Sequence, residues 1–212
     1  VPVIFHDSFL SIHTVKNKLY GGLLHNYNYE ELKAVELRKG GNIPTLEECL
    51  HTIVYHTPLH TIWLDIKKEC DLTKILKLQK EYLAKAAGID RHIKIYIGVP
   101  DKKIMECFTS VADYKNIPAL CELETEDAKN INAEVWAPQY TGGTQKDKVD
   151  EMHSAGKKVF VWSLDNEFLI DTYITEGGFD GLVSNTPSVV AHWWYTKDLV
   201  ADKKRLAVNS KT

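Results

Sequence analysis

Short apolar runs alternate with segments of helical spacing along most of the chain. From residue 61 onward the strand-like runs are 61–67, 92–99, 117–123, 133–140, 157–164 and 181–185. The segments between them place apolar residues at helical spacing, and the clearest, 72–87, is followed by Gly88. Strands that alternate with helices predict a parallel sheet, and continuously apolar strands are typical of a sheet covered on both faces.

The first third of the chain has a weaker pattern. Residues 1–7 form an apolar run that predicts a strand, and a polar loop follows to about residue 42. Thr45 and Glu48 have the spacing of a capping box, which predicts a helix that begins after Thr45, with Pro44 just outside it. A helix is also predicted from Ser188 to about Tyr195, before a polar tail.

Six strand–helix units fit either a doubly wound sheet or a (β/α)8 barrel. No glycine-rich phosphate fingerprint follows any strand, which weakens the nucleotide-binding doubly wound option. Polar side chains follow several strands, as expected where barrel strand ends build a site. They are Asp65, Lys67, Glu122, Glu124, Gln139, Ser163, Asp165, Ser184 and Asn185. We therefore predict an α/β protein with a (β/α)8 barrel.

The predicted barrel is incomplete at its N-terminus. A barrel of this type has eight units and usually about 250 residues, whereas the chain has 212 residues and starts at Val1 without a methionine. We expect a single barrel domain over residues 1–200 and a polar tail over 201–212. The remaining barrel strands are expected upstream of Val1.

Composition excludes several classes of protein. The chain is 44% hydrophobic and 26% charged, which is an ordinary globular composition. Its net charge of −3 provides no basic field for nucleic acid. No apolar run approaches the roughly 20 residues of a membrane helix. Four cysteines without a CxxC pair predict neither a zinc knuckle nor a disulfide scaffold.

Four residues at strand ends are candidates for chemistry. His6 could exchange a proton near neutral pH, or merely end a strand. Alternation places Asp65 and Lys67 on one side of their strand, where they could serve a divalent cation and an anionic substrate, or form a structural ion pair. Trp162 could line a pocket or pack in the core.

Five stretches, taken in order, resemble the glycerophosphodiester phosphodiesterase family of (β/α)8 barrels. They are VPVIFHDSFL at 1–10, IPTLEE at 43–48, LDIK at 64–67, VFVWSLD at 159–165 and FDGLVSNTP at 179–187. The resemblance spans nearly the whole chain, and its specificity comes from the order and spacing of motifs that are individually weak.

The resemblance implies roles for the same four residues. His6 matches the second catalytic histidine of the family, in its His-Asp motif. Asp65 matches a metal-binding acid that is usually Glu, and Lys67 matches the lysine that faces the phosphate. Trp162 matches an aromatic residue of the substrate pocket mouth. The implied cofactor is Ca²⁺ or Mg²⁺, and the implied reaction converts a glycerophosphodiester to glycerol 3-phosphate and an alcohol.

The chain also departs from the family pattern. The His-Arg-Gly and Glu-x-Asp motifs of the family are absent, and the resemblance places both upstream of Val1. It also implies that the six strand–helix units are barrel strands three to eight, preceded by a hairpin-like strand in residues 1–7. Asp65 is one methylene shorter than Glu, Ile12 lies near a position where many members carry Arg, and Asn185 replaces a common Asp.

The sequence therefore predicts a metal-dependent phosphodiesterase with paired-histidine acid–base catalysis and a small-molecule phosphodiester substrate. Two alternatives stay open. One is a catalytically impaired barrel that binds a phosphorylated ligand or a partner, and the other is a related enzyme that acts on phosphoinositides or sphingolipids. Export to the periplasm or beyond is favoured over the cytoplasm, because many members of the family are exported.

Overall fold

The computed structural model describes residues 1–16 and 19–197. The polar tail predicted at 201–212 lies outside the described residues. The chain folds into two compact units. The first unit contains Val1–Ile97 and Lys103–Ala112, and the second contains Gly98–Lys102 and the described residues from Asp113 onward. No helix in the described part of the chain is long and apolar enough to cross a membrane.

The first unit begins with a small antiparallel hairpin. Strand β1 (Phe9–Leu10) pairs with β2 (Gly22–Leu23), so that Phe9 lies opposite Leu23 and Leu10 opposite Gly22. Helix α1 (Tyr29–Lys33) follows. Leu10 is 2% exposed and belongs to a small apolar cluster beneath the hairpin. The other buried members of this cluster are Val15, Leu32, Val35 and Ile43.

The rest of the first unit consists of strands flanked by helices. Its elements are α2 (Leu46–His56), β3 (Thr61–Asp65), α3 (Thr73–Ala87), β4 (Lys94–Val99) and α4 (Lys102–Thr109). Strands β3 and β4 are hydrogen-bonded neighbours. The predicted capping box of α2 is confirmed, because the Thr45 hydroxyl accepts from the Glu48 backbone N–H and the Glu48 carboxylate accepts from the Thr45 backbone N–H.

Arg91 holds the chain between α2 and β3. Its guanidinium donates to the Ile53 carbonyl at 2.8 Å and to the Leu59 carbonyl at 2.7 Å, and it also donates to the carbonyl of Val54. The last carbonyls of a helix have no partner within the helix. Arg91 therefore satisfies the end of α2 and fixes the chain where it enters β3.

The second unit continues the strand–helix alternation. Its elements are β5 (Ala119–Cys121), α5 (Thr125–Asn130), β6 (Val135–Trp136), α6 (Lys146–Ser154), β7 (Lys158–Val161), α7 (Glu167–Thr172) and β8 (Gly181–Leu182), followed by helical residues 187–197. The C-terminal end of β4 belongs to this unit, and the strand order is β4–β5–β6–β7–β8. The pairs β5–β6, β6–β7 and β7–β8 are parallel.

The predicted succession of six strands is confirmed, although the strands are shorter than the apolar runs suggested. The predicted strand over residues 1–7 is wrong. Val3 makes only an isolated antiparallel bridge to Thr45, and the regular hairpin lies later, at β1 and β2. An isolated stretch of apolar residues cannot specify its own partner, so periodicity alone misplaced this strand.

Candidate functional site

A cavity of about 680 Å³ lies in the first unit. Most of its lining comes from three segments: the first eight residues, Leu24 and His25 after β2, and residues 63–71 of β3 and the loop that follows. Leu46 of α2 and Lys74 and Ile75 of α3 complete the lining. The predicted residues His6, Asp65 and Lys67 all belong to this lining. The structure therefore brings together three of the four candidate residues that the sequence identified.

His6 is paired with the residue that follows it. Its Nδ1 lies 2.8 Å from Asp7 Oδ1, and the two side chains are 83% and 41% exposed. When Nδ1 carries the proton it donates to the carboxylate, and Nε2 then has a free lone pair. A carboxylate that orients a histidine in this way favours the tautomer in which Nε2 accepts a proton.

Asp65 and Lys67 form an ion pair at the end of β3. Lys67 Nζ lies 2.5 Å from Asp65 Oδ2, with the side chains 45% and 36% exposed. Lys67 lies beyond the last residue of β3, but the burial alternation continues into the loop, because Leu64 and Ile66 are buried. An ammonium has three N–H donors, so Lys67 can contact Asp65 and still donate to a bound anion.

The loop after Lys67 is fixed at two points. Glu69 Oε1 lies 3.3 Å from Lys103 Nζ in α4. Asp71 Oδ1 accepts a hydrogen bond from the Thr73 backbone N–H at 2.9 Å. Hydrogen bonding by Thr73, through its side chain first and its backbone second, lowers the pKa of the Asp71 carboxyl. These contacts hold the loop that carries Lys67 against α3 and α4.

Trp63 adds an unsatisfied donor to the cavity lining. Its indole Nε1 is buried and has no hydrogen-bond partner among the described residues. Burying an N–H without a partner costs about 1–3 kcal/mol. Trp63 was missed by sequence reasoning, although alternation places it on the same side of β3 as Asp65. His25 and Lys68 were also missed, because no motif marks them.

Trp162 belongs to the second unit. Its indole Nε1 donates to the Ala137 carbonyl at 2.9 Å, and its backbone carbonyl accepts from the Tyr140 N–H at 2.9 Å. The side chain is half-buried. These contacts fix the orientation of the ring, and its role at a pocket mouth stays a prediction.

Asp165 organises the chain after β8. It accepts hydrogen bonds from the Asn185 backbone N–H at 2.7 Å, from the Asn185 side-chain amide at 2.8 Å and from the Ser184 hydroxyl at 2.9 Å. These donors, Asn185 first, lower the pKa of the Asp165 carboxyl. The amide of Asn185, where many family members carry Asp, thus has a local role as a donor.

The described residues do not build the predicted metal centre. No group of three or more His, Cys, Asp or Glu side chains is placed to hold an ion in the described part of the chain. Asp65 supplies one carboxylate, and one of its oxygens already contacts Lys67. A hard divalent cation takes six or more oxygen ligands, many of them waters or substrate oxygens, so the predicted cofactor stays a prediction.

Comparisons with known proteins agree on one family. The model of the family described as Glycerophosphoryl diester phosphodiesterase family matches residues 1–189. A comparison with curated protein sequences yields no significant match.

Solved structures with the same fold carry the same family name. A glycerophosphodiester phosphodiesterase from Parabacteroides distasonis superposes with a TM-score of 0.70 at 17% identity, over 92% of this chain and 79% of that chain. One from Agrobacterium tumefaciens superposes with a TM-score of 0.66 at 13% identity, over 90% and 80%. These structures confirm the predicted (β/α)8 fold class. The family model over residues 1–189 confirms the resemblance and the enzyme class.

Proposed function

Since the chain belongs to the glycerophosphoryl diester phosphodiesterase family, we propose that it hydrolyses glycerophosphodiesters to glycerol 3-phosphate and an alcohol at the cavity lined by His6, Asp65 and Lys67. The observation that carries this proposal is the shared cavity itself. It brings a histidine with an orienting carboxylate and a lysine ammonium into one space of about 680 Å³. That volume falls within the usual range for small-molecule sites.

The reaction needs one proton removed and one proton delivered. Water forms a new P–O bond, the P–O bond to the alcohol breaks, and the alcohol oxygen takes up a proton. We assign one of the two transfers to His6 Nε2, because Asp7 engages Nδ1. General acid–base transfer of this kind contributes about 10²–10⁴-fold in rate.

Lys67 binds and stabilises the phosphoryl group in this proposal. Negative charge grows on the phosphoryl oxygens as the nucleophile adds, and a fixed ammonium stabilises that charge. Asp65 positions the ammonium through their 2.5 Å contact.

The divalent cation stays a prediction, and none of the steps above depends on it. Ca²⁺ or Mg²⁺ is implied by the resemblance, whereas the described residues gather no complete ligand set. The proposed place of Trp162 at the pocket mouth is likewise a prediction. Its test is a change in KM for the substrate when Trp162 is replaced by Ala, with kcat compared in the same assay.

One observation favours a second function. The Asp65 carboxylate is engaged by Lys67, and no metal cluster exists among residues 1–16 and 19–197. A barrel that binds a phosphorylated ligand without cleaving it would have these features. Such a protein would bind glycerol 3-phosphate with a Kd that rises in Lys67→Met, yet would release no product from any glycerophosphodiester.

Replacement of His6 tests the proposed chemistry. In the full-length protein, His6→Ala should lower turnover of a glycerophosphodiester by at least about a hundredfold, because a proton-transfer group is lost. His92→Ala is the matched control, since His92 is an exposed histidine of the same unit that does not line the cavity. Release of glycerol 3-phosphate is the measurement, and unchanged turnover in His6→Ala would remove this residue from the mechanism.

A further inference from the structure

The hairpin of β1 and β2 has an unusual outer face. Its inner face buries Leu10 against the small apolar cluster. A two-stranded hairpin that packs one face on a core normally carries polar residues on the other. Here the outward positions are the cross-strand pair Phe9 and Leu23, which are 49% and 46% exposed.

Further exposed apolar residues lie in the same segment. Ile12 is 64% exposed and Leu19 is 84% exposed, and both belong to the connection between β1 and β2. Single exposed apolar residues need no explanation, but a group on one hairpin marks an interaction surface. We call Phe9, Ile12, Leu19 and Leu23 the hairpin surface.

The charge of this segment indicates its partner. Residues 8–28 contain two lysines and two histidines but no Asp or Glu, in a chain whose net charge is −3. The described lysine, Lys16, lies 3.7 Å from Glu36, and both side chains are exposed, so the pair is weak and screened. Exposed apolar side chains beside basic residues are the combination that binds anionic lipid surfaces.

The hairpin borders the substrate cavity. Ser8 and Leu24 line the cavity and directly adjoin Phe9 and Leu23 in the chain. The Leu24 backbone N–H donates to the Ser8 carbonyl at 2.9 Å and extends the hairpin pairing to the cavity lining. One end of the hairpin therefore forms part of the cavity wall.

We propose that the hairpin surface docks on an anionic phospholipid membrane, and that the substrate is a phosphodiester held in that lipid surface. The docking does not depend on catalysis, whereas the substrate class rests on the proposed function. Phe9 and Leu23 enter the headgroup region, and Lys16 contacts lipid phosphates. The cavity then opens next to the plane in which an amphiphilic phosphodiester presents its headgroup.

Sedimentation with vesicles tests the docking. The wild-type protein should pellet with phosphatidylcholine–phosphatidylglycerol vesicles, and added salt should weaken the binding. The double variant Phe9→Ser/Leu23→Ser should bind at least about tenfold more weakly, because two half-exposed apolar side chains no longer leave water. Phe168→Ser is the matched control, since this exposed aromatic belongs to the second unit and should bind as the wild type does.

Charge reversal tests the lipid class. Lys16→Glu should weaken binding to the anionic vesicles severalfold, whereas Lys80→Glu on the exposed side of α3 should not. Circular dichroism should show that the variants keep the wild-type fold. Equal binding of Lys16→Glu and the wild type would contradict the assignment to anionic lipid.

Three results would overturn the docking proposal. In the first, the wild-type protein stays in solution at every lipid concentration. In the second, the double variant pellets with vesicles as the wild type does. In the third, the wild type is a dimer that binds no vesicles, and the double variant is a monomer. The last result would assign the hairpin surface to a second copy of the chain.

Turnover separates the substrate class from the docking. The double variant should lose at least about tenfold in turnover of a lysophospholipid held in anionic vesicles, but should match the wild type on a soluble glycerophosphoalcohol. Equal loss on both substrates would contradict the lipid-held substrate. A wild type that binds vesicles but cleaves neither substrate would contradict the proposed hydrolysis and leave the docking supported.

Discussion

The ion pair between Lys67 and Asp65 allows stability and function to be separated by one substitution, Lys67→Met. The Nζ–Oδ2 distance is 2.5 Å, but the two side chains are 45% and 36% exposed. Exposed pairs of this kind contribute about 0.2–1 kcal/mol to the free energy of unfolding. We therefore expect the free energy of unfolding to fall by less than about 1 kcal/mol, which is a shift in Tm of at most about 4 °C for a chain of this size.

Turnover should respond much more strongly to the same substitution. Removal of one donor that stabilises charge on the reacting group costs about 10²–10³ in kcat. Lys85→Met is the matched control, because Lys85 forms a pair of similar exposure with Glu81 at 2.7 Å on α3 and does not line the cavity. Its loss of stability should be slightly larger, because Lys85 Nζ also lies 4.2 Å from the centroid of the Tyr82 ring. Its turnover should not change.

Urea unfolding followed by circular dichroism measures the stability, and release of glycerol 3-phosphate measures the turnover. Asp65→Asn completes a double-mutant cycle, in which the coupling free energy should stay below about 1 kcal/mol. A loss above about 3 kcal/mol in Lys67→Met would mean that the pair behaves as a buried one. Unchanged turnover in Lys67→Met would refute its proposed contact with the phosphate.

Two further predictions concern pH and metal. Hydrogen bonds from Asn185 and Ser184 lower the pKa of the Asp165 carboxyl in the folded protein. The ionised carboxylate therefore stabilises the fold above the ordinary Asp pKa of about 4, and this stabilisation is lost as the pH falls through and below that value. As the pH is lowered through this window, the urea midpoint of unfolding should fall less steeply in Asp165→Asn than in the wild type. An equal pH dependence of the two midpoints would contradict the stabilising role of the Asp165 carboxylate. Removal of divalent cations with EDTA should lower turnover, and Ca²⁺ or Mg²⁺ should restore it; full turnover in EDTA would exclude the predicted cofactor.

Periodicity predicted the sheet because each strand of the second unit is buried by its neighbours. Residues such as Leu120, Val135 and Val159 are fully buried, so their positions in the sequence had to be apolar. The capping box at Thr45 and Glu48 was equally predictable, since it depends on contacts three residues apart. The (β/α)8 class followed from the order of these elements.

The hairpin was not predictable in the same way. Strands β1 and β2 have two residues each, and the pairing of Phe9 with Leu23 joins positions far apart in the sequence. Two residues are too few to show a period. The run over 1–7 had the stronger apolar signal, yet it forms only one isolated bridge, because its partner is the turn before α2 and not another strand.

The candidate site was predictable only where motifs mark it. His6, Asp65 and Lys67 lie at the ends of apolar runs, and alternation explains why Asp65 and Lys67 meet. Trp63 also lines the cavity and shares that side of β3 by the same alternation, whereas His25 lines it only through the tertiary path of the chain. A sequence pattern records which residues can be buried together, not which loop will fold over a given strand.

The most direct test of the central claim is the fate of water oxygen during turnover. The full-length protein, given a glycerophosphodiester in oxygen-18 water, should release glycerol 3-phosphate with the label on its phosphate and an unlabelled alcohol, because water adds to phosphorus and the bond from phosphorus to the alcohol breaks. The labelled product should be lost in His6→Ala. Label in the alcohol, or no cleavage by the full-length protein, would contradict the account.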